Sequence, residues 1–252
     1  MALEEKRMEI RDKLSTKTRF LEIIDFEKNV VEDWKQEIID LKEDLKNGVQ
    51  RYRKPTEAVI KSTYGGIYHS QEDVLLATYS VGYPLETFKE EYIVFVESLI
   101  PVWHKNSGYV QMLWALSIGI LLEIDDEVFD KLVDLVRKDD PVDYQIDYLI
   151  HYRQPDWAIR DDFMFPRPYV FTEKITQAES STEATELLQF YLEKEWYQGH
   201  RDMGWYDLHK RNIDNYVGYW SFESGAICKI MGLNPEDFKE LDYFPYDLVV
   251  GE

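Results

Sequence analysis

Apolar residues recur every three or four positions along most of this chain, which is the spacing of one face of an α-helix. The pattern predicts one long helix or a pair of helices over 4–48, ended by Gly48, and a second stretch from Pro55 to about Tyr64, broken by Gly65-Gly66. Further helices are predicted over 74–81, 85–105, 109–122, 126–137, 141–150, 182–197 and 216–231, with irregular chain at 153–170 and 199–212 and an extended tail from 243.

No segment shows the strict alternation of a half-buried strand. We therefore predict an all-α fold, a compact array of about eight to ten helices. An N-terminal helical sub-bundle, residues 1–122, is expected to pack on a larger C-terminal helical domain, residues 123–252, with the segment Pro155–Pro168 as the internal hinge.

The composition is that of a chain that can fold without disulfides or metals, since 44% of its 252 residues are hydrophobic. The one cysteine, Cys228, excludes an intramolecular disulfide and is predicted to be a buried, inert thiol. The longest apolar run, 109–122, is too short for a typical membrane span, and the start is charged. We expect a soluble protein of the bacterial cytoplasm.

The net charge of −20 is unevenly distributed. Residues 1–54 hold 13 basic and 13 acidic residues, so the later chain carries the whole excess, and 121–150 hold ten acidic against three basic residues. Such a field repels nucleic acid and attracts a basic protein, although solubility alone also explains it. Charge density predicts a partner-binding surface that contains Asp125, Asp126, Glu127, Asp139, Asp140, Asp143 and Asp147.

Catalytic signatures are scarce. The chain has no glycine-rich phosphate loop, no GxSxG motif and no HExxH motif. Glu223 falls on an apolar face of the predicted helix 216–231, where it would be either a catalytic acid acting with His200 or His209, with or without a metal, or an internal strut. For the strut, we expect Arg201, Lys210, Arg211 or backbone N–H groups as partners. Without a second carboxylate or nucleophile at a matched spacing, we favour the strut and predict no catalytic residue, metal or cofactor.

The C-terminal sequence resembles a known family. Tyr-Val-Gly-Tyr-Trp-Ser-Phe-Glu-Ser-Gly-Ala-Ile at 216–227, Gly-Leu-Asn-Pro-Glu-Asp at 232–237 and Tyr-Phe-Pro-Tyr-Asp-Leu at 243–248 are similar to the C-terminal domain of the PoNi family. Trp196-Tyr-x-x-His200 and Trp205-Tyr206 resemble the same domain, and Arg11-Asp12, Phe20 and the long charged helices resemble the PoNi N-terminal domain. The motif residues expected to form framework are Tyr216, Tyr219, Trp220, Glu223, His200, Arg201, Tyr243, Pro245 and Tyr246.

This resemblance implies an all-α immunity protein that binds and blocks a PoNe-type DNase toxin delivered between competing bacteria by a secretion system. It implies no catalysis and no cofactor, and we expect no direct contact with nucleic acid or membrane. Two other interpretations stay open at this point, a helical hydrolase or metal-dependent enzyme that uses Glu223, and an acidic scaffold or regulator. A homodimer is also compatible with the sequence.

Overall fold

The computed structural model describes residues 9–211 and 215–251, and helices dominate both ranges. Within these ranges no strand is present, and an isolated bridge joins His104 to Ser107, so the all-α prediction is confirmed. The helices are α1 (Lys17–Asn47), α2 (Thr56–Val81), α3 (Leu85–Leu99), α4 (Tyr109–Leu121), α5 (Asp126–Asp139), α6 (Tyr144–Arg153), α7 (Pro166–Thr176), α8 (Ser181–Phe190), α9 (Phe222–Met231) and α10 (Tyr246–Val250).

The described chain forms two compact units. Unit 1 runs to Trp103 and includes Leu208–Gly218, so it contains α1 to α3. Unit 2 consists of His104–Asp207 and the chain from Tyr219 onward, and it contains α4 to α10. No helix of the described residues is long and apolar enough to cross a membrane.

In unit 1, α1 and α2 pack against each other along their length. Thr16 caps α1 by accepting a hydrogen bond from the Arg19 N–H at 3.3 Å. Gly48 ends the helix at φ +68°, in the left-handed conformation that glycine adopts without strain, as predicted. The core stripe of α1 consists of Phe20, Ile24, Val31, Ile38 and Leu41.

The predicted break at Gly65-Gly66 is wrong, since α2 continues through both glycines and through Ser70. The reason lies in tertiary packing. A Cβ atom on Gly66 would stand 2.4 Å from the Trp34 ring, so this glycine allows α1 and α2 to approach closely. Gly65 has no atom within 4 Å of that position. Gly66 therefore marks a contact between α1 and α2, and neither glycine ends the helix.

In unit 2, the apolar helix α4 is buried on all sides and contacts α9. The amphipathic helix α5 buries Phe129, Leu132, Val133 and Val136, as the sequence predicts, and exposes its acidic side. Two segments differ from their prediction. The irregular stretch predicted over 153–170 already includes the start of α7 at Pro166, and the tail predicted to be extended contains the short helix α10. Ser180 caps α8 by accepting from the Glu183 N–H at 3.2 Å, as predicted, and the Glu183 carboxylate accepts from the Glu179 N–H at 2.9 Å, one residue before the cap.

Candidate functional site

The motif segment 216–221 is irregular, not helical as predicted, and α9 begins only at Phe222. Gly218 has φ +113°, which no α-helical residue adopts. The Ser221 N–H donates to the Tyr243 carbonyl at 2.8 Å instead of to a helical neighbour. Every residue from 216 to 228 is buried, and a segment that is enclosed on all sides has no polar face from which to recognise its period.

Glu223 lies in the first turn of α9 and is fully buried. Its Oε1 accepts hydrogen bonds from the Trp196 indole N–H at 2.6 Å, the Ser221 hydroxyl at 2.9 Å and the Tyr191 hydroxyl at 3.3 Å. Its Oε2 has no hydrogen-bond partner among the residues that the structure describes. Burial raises the pKa of Glu223 to about 7, since removal from water disfavours the charged form.

These partners correct the expected ones. Arg201 is exposed and donates to the Gln198 side chain at 2.8 Å, while Lys210 and Arg211 are exposed residues of unit 1. Glu223 therefore lies in a neutral cage of aromatic and hydroxyl donors. A carboxyl group held in this way is an internal strut, as favoured from the sequence, although its partners are different ones.

A π-helical turn, Tyr191–Trp196, brings two of these donors together. In a regular α-helix residues five positions apart point about 140° away from each other. A π-turn is wider because its hydrogen bonds join residues five apart, and it therefore brings Tyr191 and Trp196 toward one side. The turn continues α8 without a break and ends in Tyr197–Gly199. Its local geometry explains how both side chains reach one carboxylate oxygen.

His200 is also buried and fully engaged. Its Nδ1 lies 2.6 Å from the Trp196 carbonyl and its Nε2 lies 2.7 Å from the Tyr169 hydroxyl. Burial lowers the pKa of His200 to about 4, so the ring is neutral at physiological pH. His209 lies in unit 1, beside the Tyr216 ring at 5.9 Å. Glu223 and His200 offer a substrate almost no accessible surface.

The remaining motif residues make framework contacts. In unit 2, the Tyr243 ring lies 4.9 Å from Trp196, and the Tyr219 hydroxyl donates to the Trp205 carbonyl at 3.1 Å. In unit 1, the Tyr216 hydroxyl donates to the buried Asp12 at 2.5 Å. Trp220 is buried, and the Tyr246 hydroxyl donates to Glu236. Pro245 packs closely on Gly225, where an added Cβ would stand 2.7 Å from the proline ring.

Two members of the predicted acidic surface are in the interior. Asp143 is fully buried and caps α6, where it accepts from the Ile146 N–H at 3.0 Å and the Tyr109 hydroxyl at 3.1 Å. Asp147 is fully buried and accepts from the Trp157 indole at 2.8 Å and the Arg160 guanidinium at 2.7 Å. Their charge serves the fold, so neither can contact a partner, and the expectation for these two residues is corrected.

The other five predicted residues reach the surface to different degrees. Asp126 pairs with Arg153 at 2.5 Å and Asp140 with Arg160 at 2.7 Å, while the half-buried Asp139 accepts from the Lys105 N–H at 2.5 Å. Asp125 and Glu127 are exposed and have no partner among the described residues. We call the exposed acids of this region the α5 acidic face, which consists of Asp125, Asp126, Glu127, Asp130 and Asp134.

A cavity of about 280 Å³ in unit 1 was not predicted from the sequence. The signal is in α1, where core positions alternate by four and three residues, 20, 24, 27, 31, 34, 38 and 41. Glu27 is the one charged member of this series. It accepts from the Ser70 hydroxyl at 2.5 Å and lines the cavity, which we call the Phe26 pocket. The pocket is lined by Arg19, Glu22, Ile23, Phe26, Glu27, Asp73 and Asn215.

Metal and thiol chemistry find no support in the described part of the chain. Among residues 9–211 and 215–251, no group of three or more histidine, cysteine, aspartate or glutamate side chains could hold a metal ion. Cys228 is fully buried, which raises the pKa of its thiol to about 12 and leaves it protonated and inert, as predicted.

Comparisons with known proteins place the chain. The crystal structure of protein PA2201 from Pseudomonas aeruginosa is similar to it, with a TM-score of 0.60 and 16% sequence identity over 96% of this chain and 98% of that chain. At this identity the likeness shows a shared fold alone. A comparison with curated proteins gives no match. The profile of the PoNe immunity protein (PoNi) N-terminal domain matches residues 11–134, and that of the PoNi C-terminal domain matches residues 141–248. Since the two matches together span nearly the whole chain, it belongs to the PoNi family of immunity proteins to PoNe toxins.

Proposed function

We propose that this chain is an immunity protein that binds a cognate PoNe-type DNase toxin in the bacterial cytoplasm and blocks it. The observation that carries the proposal is the match of both PoNi domains along the chain. An immunity protein of this kind would protect the cell that produces the toxin, and its siblings, during competition between bacteria. It acts by stoichiometric binding and needs no cofactor.

Electrostatics supports the choice of partner. A DNase must attract DNA phosphates and therefore presents a basic surface, which a protein of net charge −20 would approach quickly. We place one contact at the α5 acidic face, because Asp125 and Glu127 are exposed without a partner. Asp139 and Asp140 would extend this contact, whereas Asp143 and Asp147 are excluded by their burial. A contact of this type would cover the DNA-binding surface of the toxin.

Binding rather than catalysis also agrees with the motif residues. An enzyme that uses Glu223 with His200 would need both side chains to reach a substrate, yet they are 0% and 3% exposed. Their polar atoms bond to neighbouring framework groups instead. We therefore assign these residues to the support of unit 2. An acidic scaffold or regulator would share these features and differ only in its partner.

Co-expression with the toxin gene adjacent to this gene tests the proposal. We expect the chain to restore growth of cells that produce the toxin, and the purified pair to elute as one complex. Binding should weaken as the salt concentration rises from about 50 to about 500 mM, because salt screens the attraction between exposed charges. If the chain neither protects the cells nor binds the nuclease domain, the proposed function is wrong.

The placement on α5 has a separate test. The double variant Asp125→Lys/Glu127→Lys should slow association with the toxin about tenfold at low salt, since it reverses unpaired charges in the contact. Glu186→Lys/Glu240→Lys is the control, because both residues are exposed carboxylates of unit 2 outside this face. Equal association rates for the two double variants would exclude α5 as a contact and leave the immunity function standing.

A further inference from the structure

The Phe26 pocket combines an exposed aromatic ring with carboxylates that make no ion pair with any residue that the structure describes. Phe26 is 63% exposed, more than any other large apolar side chain among the described residues. Ile23 lies one helical turn before Phe26 and is half-buried. Together they give the cavity an apolar wall that no described residue covers.

The rest of the pocket lining is mostly acidic. Glu27 of α1 and Asp73 of α2 both line the cavity, and Glu22 stands exposed at its rim. Asp73 makes no hydrogen bond or ion pair among the described residues, and only Arg19 adds a positive charge to the lining. Burial, together with the nearby carboxylates of Glu72 and Glu27, raises the pKa of Asp73 to about 7, while His69 opposes this shift.

Such an arrangement costs stability in the free protein. A half-buried carboxylate without a cationic partner is disfavoured in its charged form, and groups perturbed in this way in a cleft are candidates for a functional site. Glu27 takes a core position that the spacing of α1 assigns to an apolar residue, and it lines the pocket. Sites at which a sequence departs from its own local pattern are candidates for binding.

We propose that the Phe26 pocket receives one lysine or arginine side chain of the toxin. The alkyl stem would lie on Phe26 and Ile23, and the charged end would reach Asp73 and Glu27. Long cationic side chains combine these two parts, an apolar stem and a charged head. An aromatic ring beside a carboxylate is also the kind of site that supplies most of the energy of an interface. This inference rests on the proposed function and adds a specific contact in unit 1.

Three single variants test it with purified protein and a catalytically inactive nuclease domain of the adjacent toxin gene. Asp73→Asn removes the charge and keeps the shape, and Phe26→Ala removes the apolar wall. Asp33→Asn is the matched control, because Asp33 is an exposed aspartate of α1 outside the pocket. Calorimetry should show that each pocket variant raises the Kd about tenfold or more, whereas the control leaves it unchanged.

Two further measurements keep the result interpretable. Thermal unfolding of the free proteins should show that Asp73→Asn does not lower the Tm, so weaker binding cannot be attributed to poor folding. Light scattering of each variant should show an unchanged mass. If wild type binds the toxin and the pocket variants bind equally well, the inference is overturned and the proposed function stands. A change of self-association alone would instead identify a second copy of this chain as the occupant and overturn it too. If wild type itself does not bind, the proposed function fails first.

Discussion

The acidic residues of unit 2 and those of the Phe26 pocket differ in what holds them. Around α5 and α6, where the charge density is highest, Asp143 and Asp147 are buried and accept several hydrogen bonds, and Asp126 pairs with an arginine. The Phe26 pocket lies in unit 1, where the first 54 residues have no net charge, and its Asp73 makes no hydrogen bond or ion pair among the described residues.

This contrast shows that charge density along a sequence does not identify the charges available to a partner. A carboxylate that has internal donors stabilises its own fold and has little left for binding. One that is half-buried without a donor destabilises the free protein and gains most from a cationic partner. The following experiments test whether the two regions really differ in this way.

The largest effect is expected from Asp147→Ala in unit 2. The change leaves the Arg160 guanidinium and the Trp157 indole without their buried acceptor, so the free energy of unfolding should fall by about 3 kcal/mol or more. Urea denaturation measures it. Asp156→Ala, an exposed aspartate of the loop that follows α6, serves as the control and should change stability by less than about 0.5 kcal/mol. Equal losses would mean that Asp147 has no special structural role.

Glu223 gives unit 2 a pH dependence. Since burial raises its pKa from 4.5 to about 7, the folded protein keeps a proton that the unfolded chain releases between these values. The stability from this proton is complete below pH 4.5 and is lost as the pH rises through 7, by about 3 kcal/mol at most. Glu223→Gln should flatten the free energy of unfolding over this window, measured by denaturation from pH 4 to 8. A slope identical to that of wild type would show that Glu223 does not titrate there; Glu186→Gln is the exposed control.

In unit 1, α1 and α2 make a close contact at Gly66 and Trp34. Gly66→Ala would place a Cβ 2.4 Å from the Trp34 ring and should cost about 1–3 kcal/mol by overpacking. Gly65→Ala, with no atom within 4 Å, should instead stabilise α2 by up to about 1 kcal/mol. Thermal unfolding of the two variants compares them directly. The same sign for both changes would contradict the packing role of Gly66.

The smallest effect is expected from Asp73→Asn, and its sign is the informative part. Because the pKa of Asp73 is raised from 3.8 to about 7, ionisation of this group destabilises the fold as the pH rises through that range. The variant should therefore be about 1 kcal/mol more stable than wild type at pH 8 and equal to it at pH 4, which is less than the full pKa shift would give because water reaches the half-buried side chain and screens its charge. Denaturation at both pH values measures the difference. A loss of stability at pH 8 would mean that Asp73 serves the fold, as Asp147 does, and would remove the contrast between the regions.

Much of the helical framework could be predicted from the sequence. Periodic apolar spacing and local caps predicted the helix end at Gly48, the start of α8 at Ser180 and the buried face of α5, because these features depend on residues only a few positions apart. The motif at 216–227 indicated the family, which the profile matches confirm. It did not reveal its own conformation, since its residues are buried on all sides.

The sequence by itself thus determined most of the helices and their inward faces. The tertiary structure decided which polar groups have partners inside the fold and which are available to another molecule. Asp147 is neutralised by Trp157 and Arg160, which lie 10 and 13 residues away, and Glu27 meets Ser70 across 43 residues. A one-dimensional pattern records the spacing within one helix but not the donors that another segment brings to it. For this reason the densest run of acids predicted a surface that is partly interior, and the unpaired carboxylates became visible only where α1 and α2 meet.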